Sequence, residues 1–139
     1  MSSNVDLNAL SASLPPSATL RVPDDDFART YAKWTDYNLQ TPLAVVTPTS
    51  KAGILATIRF AAENSLHVSA RGGGHSTFNI VVGWIVIDIA GYKAVTYDEA
   101  TQTMTVQGGA TNGDVLAVAA KNNRCVCMPL PITSHFIQG

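Results

Sequence analysis

Apolar residues divide this chain into short elements separated by proline, glycine and polar clusters. Leu7, Leu10 and Leu14 recur at helical spacing over Val5–Leu14, and Pro15-Pro16 ends the pattern, so a short surface helix is expected to open the chain. Pro23-Asp24-Asp25-Asp26 places a proline and acidic residues where a helix N-terminus favours them. Phe27, Tyr31 and Trp34 then form one aromatic face, expected to pack in the core. The apolar run Leu43–Val46, bounded by Pro42 and Pro48, reads as a buried strand. Thr49 or Ser50 can cap a helix running to about Asn64, with Ile54, Leu55, Ile58, Ala61 and Ala62 on its apolar face. Leu66–Ala70 reads as the next strand. Strand, helix and strand make a βαβ unit, whose two strands are expected to be parallel with a right-handed crossover.

Beyond residue 80 the pattern changes. Trp84–Ile89 is strongly β-forming, and Gly91 ends it. Ala94–Asp98 and Thr103–Gln107 alternate as two antiparallel strands joined by the polar turn Asp98–Gln102, and Gly108-Gly109 closes the hairpin. Thr111-Asn112-Gly113-Asp114 has the spacing of a capping box. The helix it opens carries Val115, Leu116, Ala119 and Ala120 and stops at Asn122-Asn123. Arg124–Met128 is expected to be a last short strand, broken by Pro129-Leu130-Pro131. The fold class is therefore α+β, a βαβ front followed by an antiparallel β/α portion. Residues 1–22 form an N-terminal helical or irregular segment, and 23–139 the main domain.

Composition narrows the function. The 139 residues are 46% hydrophobic and 14% charged with a net charge of −1, and the basic residues are scattered. A nucleic-acid or anionic-membrane surface would need clustered basic side chains. Apolar runs fall short of the roughly 18 residues that a membrane span requires, and the N-terminus lacks the basic and apolar regions of a secretory signal. Cys125 and Cys127 are too few and too close for a disulfide framework. The expectation is a soluble cytoplasmic protein.

The candidate chemistry lies at Arg71-Gly72-Gly73-Gly74-His75-Ser76. Three glycines remove all side chains from a piece of backbone and permit positive φ, so its N–H groups can be laid against an anion. The loop follows a parallel strand, at the end of the sheet where open α/β folds bind ligands. A phosphate loop of the Walker type needs a Gly-Lys pair, which is absent. A Rossmann loop needs G-x-G-x-x-G opening a helix, whereas extended chain follows Gly74. A backbone nest for phosphate remains.

These residues resemble the FAD-binding domain, of the PCMH type, in the vanillyl-alcohol-oxidase superfamily, and in particular its berberine-bridge-enzyme-like branch. The resemblance runs from the strand and helix before Arg71–Ser76 through Val86-Ile87-Asp88-Ile89, Val106-Gln107-Gly108-Gly109-Ala110-Thr111 and Gly113-Asp114-Val115-Leu116. It implies that backbone amides of Arg71, Gly72, Gly73, Gly74, His75 and Ser76 wrap the FAD pyrophosphate, and that Gly108, Gly109 and Ala110 make a second backbone approach. It places His75 where many relatives join a ring nitrogen to the 8α-methyl of the flavin, a task for a neutral imidazole. The alternative for His75 is a hydrogen bond to phosphate, and for Gly108–Ala110 a hairpin closing onto a helix.

The implied function is FAD-dependent transfer of a hydride from a small organic substrate to flavin N5, as in secondary-metabolite oxidases. Relatives are several times longer, so the resemblance implies a truncated domain whose remaining cofactor cradle and catalytic groups lie elsewhere. The chain is then a natural short protein reusing half a flavin domain, a fragment, or one subunit whose missing half comes from a homo-oligomer partner or a complementing subunit. The competing class is a non-redox binding module, a cyclase or lyase, or an assembly subunit on the same scaffold. No catalytic residue is assigned. His67, His75 and His135 lack metal-ligand spacing. Cys125 and Cys127 read as buried small side chains. Doubly linked relatives use a cysteine nearer Pro131, which weighs against a second flavin bond through Cys127.

Overall fold

A computed structural model describes residues 5–24, 27, 40–73 and 82–127 of the chain. The element order is α1 (Leu7–Ser13), β1 (Thr19–Arg21), β2 (Ala44–Thr47), α2 (Lys51–Glu63), β3 (Val68–Arg71), β4 (Ile85–Asp88), a 3-10 turn (Ile89–Gly91), β5 (Val95–Asp98), β6 (Thr103–Val106) and α3 (Asn112–Lys121). Four strands form one sheet in the order β1-β2-β4-β3, and β5 and β6 form a separate antiparallel ribbon. The class is α+β, as expected.

β2 and β3 are parallel, but they are not neighbours. β4 lies between them, parallel to both, pairing Ala44 with Ile85 on one side and Val68 with Ile85 on the other. The strand read as opening the second half of the chain is thus the centre of the front sheet. All four β4 residues are buried, as are the first three of β2. A strand covered on both faces needs a continuous apolar run rather than alternation. Val46 and Ile85 face Leu10, Phe60 and Ala61, while Val45 and Val86 face Phe27. Tyr31 and Trp34, expected beside Phe27, lie outside the described residues.

The opening helix is more than a surface element. Asp6 caps it by accepting from the Asn8 N–H, and Leu10 is fully buried in the main core. The chain then adds β1 antiparallel to β2, a three-residue edge strand without any periodicity to announce it.

Helix α2 corrects the expected face. Gly53, Thr57, Phe60 and Ala61 are buried, whereas Leu55 and Ile58 are 40% and 43% exposed. Gly53 lets the helix approach closely: a Cβ there would stand 3.0 Å from the Pro48 Cβ. The Thr57 hydroxyl is satisfied by donating to the Gly53 carbonyl at 2.8 Å, so its burial leaves no orphan. Ser50 takes the N-cap position without a side-chain hydrogen bond, and Thr49 donates instead to the Ser17 hydroxyl.

In the second half, the hairpin and its turn fall where expected. The capping box is formed in full: the Thr111 hydroxyl accepts from the Asp114 N–H, and the Asp114 carboxylate accepts from the Thr111 N–H. Residues 124–127 are not a strand, which corrects the expectation for Arg124–Met128. The Arg124 N–H instead donates to the Ala119 carbonyl, closing the end of α3.

Candidate functional site

The C-terminal ends of β2, β4 and β3 lie side by side, and the chain leaves β3 there into the glycine turn. Arg71 is the last residue of β3, Gly72 is buried and Gly73 half-buried. Gly74, His75 and Ser76 lie outside the described residues. Parallel pairing sets Arg71 directly opposite Asp88, the last residue of β4. The Arg71 guanidinium donates to Asp88 Oδ2 at 2.9 Å, with the two side chains only 15% and 8% exposed.

Asp88 has a second role. Its Oδ1 accepts from the Ala90 N–H at 3.0 Å and caps the 3-10 turn Ile89–Gly91. That turn is where the second glycine segment is seated. The Gly109 N–H donates to the Tyr92 carbonyl at 2.8 Å, and a Cβ on Gly109 would fall 1.8 Å from the Ile89 carbonyl oxygen. No side chain fits there. Gly108 would bring a Cβ to 3.2 Å from Ile89 Cδ1, a tight contact that a methyl shift relieves. Ala110 is fully buried and begins the approach to the capping box. The structure therefore links Arg71–Gly73 and Gly108–Ala110 through Asp88 and the turn after it. In the sequence Asp88 is simply one residue of the Val86–Ile89 strand run. The signal that singles it out is a carboxylate at the end of an otherwise apolar run, a position that demands a partner.

The remaining candidates lie elsewhere. His67 stacks on Trp84 with ring centroids 4.9 Å apart, and both residues precede the starts of β3 and β4, at the sheet edge opposite the glycine turn. Tyr97 accepts a 2.8 Å hydrogen bond from Arg124 Nε. Cys125 and Cys127 are exposed rather than buried, because the chain after α3 runs over the surface beside the hairpin. Among the described residues, no group of three or more His, Cys, Asp or Glu is placed to hold a metal ion. His135 lies outside the described residues. Also among the described residues, no helix is long and apolar enough to cross a membrane.

The residues present fit a phosphate-bearing group. A glycine pair with one member buried presents backbone without side chains at the C-terminal sheet edge. Asp88 offsets the charge of Arg71 beside that turn.

Comparison with known proteins identifies the arrangement. Residues 42–134 match the family described as FAD binding domain. The chain is 36% identical over 99 residues to the FAD-linked oxidoreductase hasG of Aspergillus fumigatus, covering 70% of this chain and 21% of that protein. It is 30% identical over 102 residues to (R)-6-hydroxynicotine oxidase of Paenarthrobacter nicotinovorans, covering 71% and 22%. The chain thus spans about a fifth of the length of these curated relatives. Among solved structures, 6-hydroxy-D-nicotine oxidase from Arthrobacter nicotinovorans superposes with a TM-score of 0.69 at 28% identity, over 76% of this chain and 24% of that one. The berberine-bridge-enzyme-like protein 1 of Physcomitrella patens shares the fold with a TM-score of 0.71 at 24% identity, over 83% and 26%.

Proposed function

This chain belongs to the FAD binding domain family, and from that membership we propose that it supplies the pyrophosphate-binding part of a flavin-dependent oxidase acting on a small organic substrate. One observation supports the reading: the side-chain-free turn that leaves β3 at the C-terminal edge of the parallel strands, with Gly72 buried. When bound, FAD supplies the redox chemistry, accepting a hydride at N5.

The protein's own contribution is position. Backbone N–H groups from Arg71 to Ser76 hold the pyrophosphate, because glycine lets phosphate oxygens approach the chain within hydrogen-bond distance. Gly108, Gly109 and Ala110 form the second approach. The Arg71 guanidinium, engaged by Asp88, orients the exit from β3. His75 is the residue proposed for covalent attachment. Its ring would have to be neutral to act as a nucleophile. Such a C–N bond would replace an imidazole N–H and a methyl C–H, and the flavin itself would take up the two electrons and two protons released. Relatives named as FAD-linked oxidoreductases and as a hydroxynicotine oxidase support the substrate class of small organic molecules.

The test is direct. The purified chain is titrated into FAD while flavin fluorescence and the visible spectrum are followed, and the complex is then precipitated with acid. Quenching and a shifted spectrum support the reading, and colour retained in the pellet but released by His75→Ala supports the covalent bond. A chain that leaves FAD fluorescence unchanged at micromolar protein overturns the flavin reading. Sedimentation of the same sample shows whether two copies, or a complementing subunit, are needed for binding.

A further inference from the structure

A carboxylate at the end of a fully buried apolar strand is costly unless its oxygens are engaged, and those of Asp88 have different partners. Oδ2 receives the Arg71 guanidinium, which fixes the residue entering the glycine turn. Oδ1 receives the Ala90 N–H, which fixes the 3-10 turn whose Ile89 and Tyr92 carbonyls seat Gly109. One side chain therefore stands between two glycine segments that are far apart in sequence. We infer that Asp88 is a positioning residue that sets the Gly72–Gly73 turn in register with the Gly108–Gly109 segment, and that Arg71 acts through Asp88 rather than as a charge on the ligand. The consequence for cofactor affinity rests on the flavin reading. The mechanical link between the segments does not.

The full 139-residue chain tests both parts. Arg71→Met leaves the Asp88 cap of Ala90 in place and removes the ion pair, and Asp88→Asn keeps a side-chain oxygen for the cap without the charge. Amide exchange followed by NMR, without any ligand, should quicken at Gly109 in Arg71→Met, although Arg71 has no place in that hydrogen bond. Titration with FAD should show affinity weakened about tenfold in either variant. The double variant should be no weaker than the worse single one, and Arg71→Lys should recover part of the loss. Exchange at Gly109 that is unchanged in Arg71→Met overturns the link, as do effects that simply add in the double variant. A wild-type chain that does not bind FAD removes the flavin reading while the exchange result still decides the link. If Asp88→Asn does not fold, Arg71→Met against Arg71→Lys carries the same decision.

Discussion

The four-stranded sheet and the β5–β6 ribbon have strands of similar length, yet they are held by different means. β4 is buried throughout and is paired on both edges, with helices on one face and Phe27 on the other. No residue of β5 or β6 is buried: half-buried and exposed positions alternate along β5, and in β6 Met104 alone is half-buried. A two-stranded ribbon is marginal alone in water. This one is held at its ends: by α3 against β5, by Arg124 on the Tyr97 hydroxyl, and by Gly109 against the turn that follows β4. The sheet supplies stability, and the ribbon borrows it through a few contacts. Gly109 sits where the two regions meet, and Arg71, which leads into Gly72, is paired with the carboxylate that caps the same turn.

The largest expected effect comes from breaking the stronger region. Ile85→Ala removes a fully buried side chain at the centre of the sheet and should cost about 4 kcal/mol, read as loss of the whole cooperative transition in thermal or urea unfolding. The same truncation at Val106, which is 36% exposed, should cost about 0.5 kcal/mol. Equal losses at the two sites would show that the regions are not unequal.

Gly109→Ala comes next and acts on the junction. The added methyl meets the Ile89 carbonyl, so the hairpin must move away from the turn, at a cost of about 3 kcal/mol. Hydrogen exchange should quicken in β5 and β6 first, with the interior amides of β4 still protected. Uniform acceleration across both regions would contradict the division.

Thr111→Ala is smaller. It removes the hydroxyl that accepts from the Asp114 N–H and loosens the start of α3, at about 1 kcal/mol in thermal unfolding. Its effect should reach β5, against which α3 packs, before it reaches β2 or β4.

The same contrast explains what could be read from the sequence. Leu43–Val46 and Trp84–Ile89 announce themselves because strands buried on both faces need unbroken apolar runs, and the hairpin is legible because its polar turn separates alternating segments. The capping box at Thr111 is a purely local feature and is equally plain. Strand order is not local: nothing in Ile85–Asp88 says that it inserts between β2 and β3. The face of α2 is misjudged for a physical reason. Close packing on Pro48 requires Gly53, and the face that carries Gly53 also buries Thr57 while leaving the more apolar Leu55 and Ile58 exposed. At the candidate site, the glycines are visible in sequence, while the Arg71–Asp88 pair depends on parallel register and bridges 17 residues. The cysteines mislead because a small apolar side chain is ordinarily buried, and these follow a helix end on the surface.

The smallest effect is a pH dependence confined to the ribbon. Asp98 lies at the start of the β5–β6 turn, fully exposed, and its carboxylate accepts hydrogen bonds from the Thr101 side chain first and then from the Ala100 and Thr101 backbone N–H groups. These donors favour the charged form and hold the carboxyl below the ordinary aspartate value. A group whose folded pKa is depressed contributes stability above its unfolded value and loses it as pH falls through the folded one. The turn should therefore be firmest at neutral pH and loosen only in acid, below the usual carboxylate range. The NMR protection factors of Ala100 and Thr101, corrected for intrinsic exchange, should fall on acidification through that window while those of β4 amides hold. Asp98→Asn, which cannot carry the charge, should flatten that local dependence. An Asp98→Asn chain that still loosens at the turn over the same pH range would assign the effect to another carboxylate.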